Sequence, residues 1–510
     1  MKNYKYILFV IVGLAFTNCN LEEEPPFLAN ENVFSTSEDS KRALTGIYAS
    51  FAERNYYGYS FIYIANLNSG IGVTRDRGNN INSVPNTTLA SLKPTSAFDH
   101  INNSWTGIYR SISRSNDAIN SAIVSENPTT DDQKVINDVA GQAYFFRAFN
   151  YFNLVRMWGE VPLRLVPTTK EEIHLGKSSI KDVYAQIISD TKRAQELMNG
   201  EVGNGTVKPE AASMLLAKVY MTLAEAPTEH QEAGLNYWQM AYDEAKKVYD
   251  SNQYALVSNY GSLFETATSD NTVESIFEIQ SSESSDETSL SHVKEFTPSH
   301  RYIITPTWGK FYVNVPIYDS HANTYPGDPR LASTYIGNFI NQQNGSLSTR
   351  YPDVTWRSNM NNAFPYVIKL GEKDQSIVTT LSNKNFIVYR YSDLLLMLAE
   401  ISNELQNGEQ LGYVTEVLTR LGLTPQAGYY GDQESFRNAI MREYIFELAF
   451  EGHAWFNNRR RGYKYFLDHI ITPHNTARKD GVDVTLDTNE ANVMYLPIPL
   501  NEIDGNELIN

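Results

Sequence analysis

The chain has 510 residues, 42% of them hydrophobic, with 59 acidic against 42 basic side chains and a formal charge of −17 at pH 7. That hydrophobic share builds a globule rather than a disordered polymer, and the negative balance argues against nucleic-acid phosphates and anionic headgroups as partners. By the soft rule of about 150 residues per domain the length allows three domains, but an α-solenoid with elaborated loops accommodates it equally well.

Lys2 and Lys5 precede an apolar run from Ile7 to Phe16, the layout of a secretory signal over residues 1–18, and the run is too short for a membrane-spanning helix. Cys19, the single cysteine, stands directly behind it and is the expected lipidation site. The residues before it, Phe16-Thr17-Asn18, are looser than the small residues usual there. Glu22, Glu23, Glu24, Pro25 and Pro26 then form an acidic, stiff tether across residues 19–34.

Helical signals begin at Ser35 and Thr36, each with an acid three residues on (Glu38, Asp39), followed by an apolar face of Ala43, Leu44, Ile47, Tyr48 and Phe51. Trp105, Ile108, Tyr109, Ile112 and Ile119 mark a second helix. A third is predicted from about Asp132 to Trp158, ending at Gly159 ahead of Pro162, and its length implies several neighbours. Further helices are expected over Ser179–Met198, Pro209–Ala226 and Asn236–Ser251. The last two oppose small residues (Ala211, Ala212, Ala217, Ala224) to Tyr237, Trp238, Ala241 and Ala245, the pattern of a tetratricopeptide-like hairpin. Ser392–Leu405, Leu411–Leu421 and a continuous helix over Glu434–Phe456 complete the set. Between the two helical parts, residues 254–385 show little helical period; strand-like runs at Ile276–Ile279 and Phe386–Tyr389 border the region. Its aromatic residues Tyr302, Trp308, Phe311, Tyr312, Tyr351 and Trp356 argue for function rather than disorder. A similar loop runs from Asn66 to Pro94 and carries Arg75, Asp76, Arg77, Asn79 and Asn80.

Six segments, in order, resemble the SusD/RagB family of surface lipoproteins: "CNLEEEPPFLANENVF…ALTGIYASF", "GQAYFFRAFNYFNLVRMWGEVPL", "YWQMAYDEAKKVYDSNQYAL", "YRYSDLLLMLAEISNEL", "REYIFELAFEGHAWFNNRRRG" and "YLPIPLNEI". Two positions depart from the family pattern: Ala454 and Asn457 stand where an arginine and an aspartate are common, so both members of an expected ion pair are missing together. The resemblance implies a mostly α-helical, SusD-like fold: one domain over 35–510, with an N-terminal helical part (35–253), a loop-rich ligand face (254–385) and a C-terminal helical part (386–510). It also implies an outer-membrane, cell-surface location and a SusC-like TonB-dependent transporter as partner. The ligand it implies is an oligosaccharide, with peptide capture of the RagB kind as the alternative on the same scaffold.

Enzyme motifs are broken. Gly176-Lys177-Ser178 lacks the glycine five residues earlier, where Glu171 stands, and the dinucleotide fingerprint begun by Gly70 and Gly72 fails at Arg75. No two histidines share the helical i, i+4 zinc spacing. No catalytic residue, metal or cofactor is therefore expected, although a glycosidase needs only two facing carboxylates, which spacing does not reveal. His453 is read as part of a packed helix end beside Phe450, Trp455 and Phe456, and Arg459–Arg461 as cations complementing helix-terminal carbonyls. Trp105, Trp158, Trp238 and Trp455 sit on helical periods and belong to the core. Trp308 and Trp356 do not, which makes them candidate sugar platforms, with Tyr302 and Tyr312 beside the first and Arg75, Asp76 and Asn80 as polar partners. For each of the two tryptophans a second reading stays open, as the plug of a satellite core beneath the loops.

Overall fold

The computed structural model describes residues 36–74, 84–169, 172–203, 205–284, 290–349, 364–478 and 484–509. Cys19, the acidic tether, Arg75, Asp76, Asn80 and Trp356 lie outside the described residues.

The helices of the scaffold, labelled in chain order, are α1 (Ser37–Ala52), α2 (Ser60–Leu67), α3 (Asp99–Ser121), α4 (Asp131–Trp158), α5 (Ile180–Leu197), α6 (Pro209–Glu225), α7 (Tyr237–Asp250), α8 (Tyr391–Leu405), α9 (Gln410–Arg420), α10 (Gln433–Glu447) and α11 (Ala454–Arg460). Starts are fixed as the capping residues dictate: the Thr36, Thr130 and Ser179 hydroxyls accept from the amides of Asp39, Gln133 and Asp182. α3 to α7 stack in chain order, each on the next, and α8 then docks on α7 and pairs with α9 and α10. The C-terminal helices thus extend the N-terminal stack although a long segment of loops, short strands and short helices separates them. α4 is buried on nearly every face because its sequence is aromatic all round, and it touches α1, α3, α5 and α6. In the α6–α7 hairpin Ala211, Ala212, Ala217, Tyr237, Ala241 and Ala245 are buried, as expected for interdigitating small and large residues.

One expected helix is interrupted. Instead of running from Glu434 to Phe456, α10 ends at Glu447; Phe450 and Gly452 take left-handed backbone angles (φ +62° and +85°), and α11 restarts at Ala454. Phe450 is fully buried and its ring lies against Gly72, so packing offsets the strain of a positive φ. The arginines that follow close α11, as expected, and their side chains reach beyond it. Arg459 donates to the carbonyls of Met494 and Arg156, Arg460 pairs with Glu225 and Glu400, and Arg461 with Glu225, so these cations also tie separate segments together.

The strands are short: β1 (Gly72–Val73), β2 (Ser275–Ile279), β3 (Tyr312–Val313), β4 (Tyr335–Ile336), β5 (Asn338–Ile340), β6 (Leu347–Thr349), β7 (Tyr366–Val367) and β8 (Phe386–Arg390). β2 and β8, the two runs legible in the sequence, pair antiparallel with each other. β1, β3, β7 and β4 form a sheet in that order, and β5–β6 is a hairpin.

A buried ion network fastens the irregular region to the C-terminal helices. Glu447 meets Arg390 at 2.7 Å and Arg330 at 3.0 Å and also pairs with Arg420. Arg330 reaches Glu443 at 2.5 Å and Asp328 at 2.7 Å; Arg390 reaches Glu274 at 2.9 Å and Glu451 at 2.8 Å, and Lys369 reaches Glu451 at 2.6 Å. Such charges persist away from water because each is met by several partners at once.

Candidate functional site

The small sheet gathers distant loops. Val73 of β1 lies opposite Tyr312 of β3, and Tyr312 lies opposite Tyr366 of β7. Because β1 and β3 are antiparallel, the chain leaving β1 toward Arg75 departs from the end of the sheet at which the Trp308 segment enters β3. The chain that arrives at β7 from the side of Trp356 enters at the other end, where the Pro365 carbonyl accepts from the Val313 amide. Of the sequence-derived candidates, Trp308, Tyr302 and Tyr312 are described.

Below the loops lies a satellite core of Val73, Tyr302, Ile303, Tyr312, Val315, Phe339, Phe364, Tyr366 and Ile368. Tyr302 and Tyr312 belong to it and are 5% and 2% exposed, so their ring faces are not available to a ligand. Tyr302 is held edge-on to Phe339, with its hydroxyl donating to the Lys373 carbonyl at 2.9 Å, and Tyr312 packs on Tyr366 with ring centroids 4.6 Å apart. The sequence placed them beside Trp308 as ligand contacts; the structure places them in the satellite core instead, since aromatic residues in irregular chain close a core wherever no helix covers it.

Trp308 is 54% exposed. Its amide donates to the Lys294 carbonyl at 2.8 Å and the Lys310 amide to the Glu295 carbonyl at 2.9 Å, which pins the backbone on either side of the ring to the short helix His292–Phe296. Gly309 between them has φ +51°, and a Cβ there would lie 2.4 Å from the Ser299 nitrogen, so only glycine lets the chain pass this closely. His300 and Arg301 both take left-handed φ (65° and 61°), backbone strain of the kind that gathers at functional sites. The loops are tied together: the Gln342 amide donates to the Arg301 carbonyl, Gln375 Nε2 donates to the carbonyls of Tyr302 and Ile340, and the Thr305 hydroxyl donates to the Val378 carbonyl. Ile304, Ile340 and Val378 are exposed on this cluster.

Cationic groups border the indole. Lys310 Nζ lies 5.2 Å and Lys294 Nζ 5.9 Å from its ring centroid. Lys310 also meets the Tyr59 hydroxyl at 3.2 Å and Glu295 at 3.4 Å, and the Tyr63 hydroxyl donates to Glu295 at 2.8 Å. Burial raises the Glu295 carboxyl, against the opposing pull of Lys310. His100, stacked on Tyr63, is pushed down to about 4 by burial, with Lys310 and Arg54 adding to the effect, and is neutral. Tyr59, Lys294 and Lys310 escaped the sequence reading; the tyrosine run Tyr56, Tyr57, Tyr59 and Tyr63 behind the first helix was the available signal.

A separate cleft of about 750 Å³, lined among others by Lys208, Tyr254, Asn271, Phe277 and Glu278, opens beside β2 and shares no residue with the Trp308 face. Among the described residues, no helix is long and apolar enough to cross a membrane.

A stack of tetratricopeptide-like helix pairs carrying an irregular, aromatic-bearing loop face defines a mostly α-helical scaffold of the SusD-like class. The chain belongs to the SusD family, which matches residues 237–510, while residues 22–221 match the family described as starch-binding associating with outer membrane. SusD-like protein P2 of Formosa agariphila is 27% identical over 486 residues, spanning 90% of this chain and 91% of its own. The crystal structure of a SusD homolog from Bacteroides thetaiotaomicron superposes with a TM-score of 0.80 at 21% identity, covering 96% of this chain and 99% of that one. A laminarin-binding SusD-like protein superposes with a TM-score of 0.69 at 20% identity, covering 93% and 98%.

Proposed function

We propose that this protein is a non-catalytic, lipid-anchored protein of the outer-membrane surface that captures an oligosaccharide and hands it to a SusC-like, TonB-dependent transporter. The observation that carries this reading is Trp308, an indole held by backbone hydrogen bonds on both flanks and open to solvent on a loop cluster. A pyranose ring laid on it buries about 100 Å², or roughly 2.5 kcal/mol at about 25 cal/mol per Å², before ordering costs. One such contact gives weak binding, and several along a chain of sugars give Kd values on the order of micromolar to millimolar. An open indole favours a sugar ring over a peptide backbone. Support also comes from the laminarin-binding neighbour and from a family description that names starch and the outer membrane. In this reading residues 254–385 supply the ligand face, with Trp356, Arg75, Asp76 and Asn80 as further contacts, and Cys19 carries the lipid.

The test is a screen of the purified protein on an oligosaccharide array, followed by calorimetry on the hits. Binding to one glycan class that is lost in Trp308→Ala is the expected outcome; an array without hits overturns the reading.

A further inference from the structure

Around Trp308 the charge of the molecule reverses sign. The chain as a whole carries −17, yet among the described residues the charged groups beside the indole and the adjacent Tyr59 are Lys294, Lys310 and Arg54, with the carboxylate of Glu295 among them. Glu295 is buried and already engaged by the Tyr63 hydroxyl and by Lys310, so it offsets at most one of the three cations. Among the described residues neither Lys294 nor Arg54 has a carboxylate within ion-pair distance; Arg54 donates to the Ser291 hydroxyl and lies 4.6 Å over the Tyr59 ring.

Cations that serve only solubility sit on open surface and pair loosely with acids. Here the two lysines stand within 6 Å of an exposed aromatic ring, and the backbone hydrogen bonds of Trp308 and Lys310 fix the segment that carries them. The two ammonium groups stand over the indole, so a sugar that contacts the open part of the ring brings its substituents alongside them. A neutral glycan gains only ordinary hydrogen bonds from them, whereas a carboxylate or sulfate ester gains charge-assisted ones.

Building on the glycan reading above, we infer that the ligand is an acidic oligosaccharide, one that bears uronate carboxylates or sulfate esters, and that Lys294 and Lys310 select it. The indole supplies contact with the ring and the lysines discriminate, so the two contributions are separable by substitution.

The experiment is a calorimetric and array comparison of oligosaccharides offered in matched forms: native, carboxyl-reduced and desulfated. The expected result is that the tightest ligand is anionic and that removing its charged group weakens binding about fivefold or more at low ionic strength. Whichever treatment has that effect identifies the anion. Lys294→Met and Lys310→Met, which keep the aliphatic stems, are expected to lose that preference and its salt dependence, with a smaller loss for the neutralised form, which gives up only ordinary hydrogen bonds. Trp308→Ala weakens both forms. A tightest ligand that is neutral, or one whose affinity survives charge removal, overturns the inference and leaves glycan capture standing. An absence of binding to every oligosaccharide overturns both. Lysine variants with unchanged preference, and melting temperatures equal to the parent, assign the selection elsewhere and overturn the role of these two residues.

Discussion

Arg390 lies buried against Glu447, its Nη1 2.7 Å from Oε1 and its Nη2 2.7 Å from the same residue's carbonyl oxygen. Arg330 and Arg420 share the carboxylate, so three guanidinium ions meet at Glu447.

Glu447→Gln is expected to destabilise the protein by about 3–5 kcal/mol, because it strands buried cations rather than deleting a contact. Urea denaturation followed by circular dichroism measures it. A loss below about 1 kcal/mol means that the cations find other partners among Glu274, Glu443 and Glu451.

The same carboxylate makes stability depend on pH. Burial alone would raise it, but Arg420, Arg390 and Arg330 together hold it well below its ordinary value of 4.5, and Glu451 is lowered in the same way by Arg390 and Lys369. A carboxyl whose folded value is depressed contributes stability in full above its unfolded value and loses it as pH falls toward the folded one. The melting temperature is therefore expected to hold above about pH 5 and to decline steadily below it, and the decline is expected to be shallower in Glu447→Gln. Parallel pH profiles of parent and variant would contradict this origin.

Trp308→Ala is expected to weaken glycan binding at least tenfold by calorimetry while the melting temperature stays within a few degrees, as for a surface substitution. Tyr302→Ala and Tyr312→Ala are expected to behave oppositely in origin: both empty part of the satellite core and cost about 3–5 kcal/mol of stability, with binding lost only as a consequence. Normal stability in either tyrosine variant would show that its ring does not belong to the satellite core.

Gly309→Ala separates position from chemistry. The added Cβ meets the Ser299 backbone, which forces the Trp308 segment away from the sheet. Glycan affinity is expected to fall although the indole is intact, and a variant that binds as tightly as the parent shows that the ring does not need its fixed position.

Cys19→Ala is expected to move the protein from the membrane pellet to the soluble fraction with its fold unchanged. Salt-resistant recovery in the pellet contradicts the proposed anchor.

The helices were legible because capping residues and apolar periods are local: Thr36 and Ser179 announce starts that the structure keeps. The break after Glu447 was not, since the reason for it lies in Gly72 and in arginines far along the chain. Trp308 was singled out for standing off any helical period, and it is exposed. Tyr302 and Tyr312 met the same criterion and are core, because position off a helical period does not distinguish a ring that faces water from one that closes a satellite cluster. Lys294 and Lys310 carry no sequence signal; they matter only because the chain doubles back to place both beside one indole.

The strand pairing beneath the candidate face also bears on how the face comes into being. Asn314 Nδ2 donates to the Gly70 carbonyl across 244 residues of chain, and Gly72 pairs with Val313 beside it. Contacts this distant in sequence incur a large loop-closure entropy and form slowly. The helical stack, built largely from neighbours in sequence, is expected to assemble ahead of them. The surface around Trp308 is then a late product of folding that requires the chain well past its midpoint, and ligand binding by a given preparation is expected to report complete folding more faithfully than its helix content does.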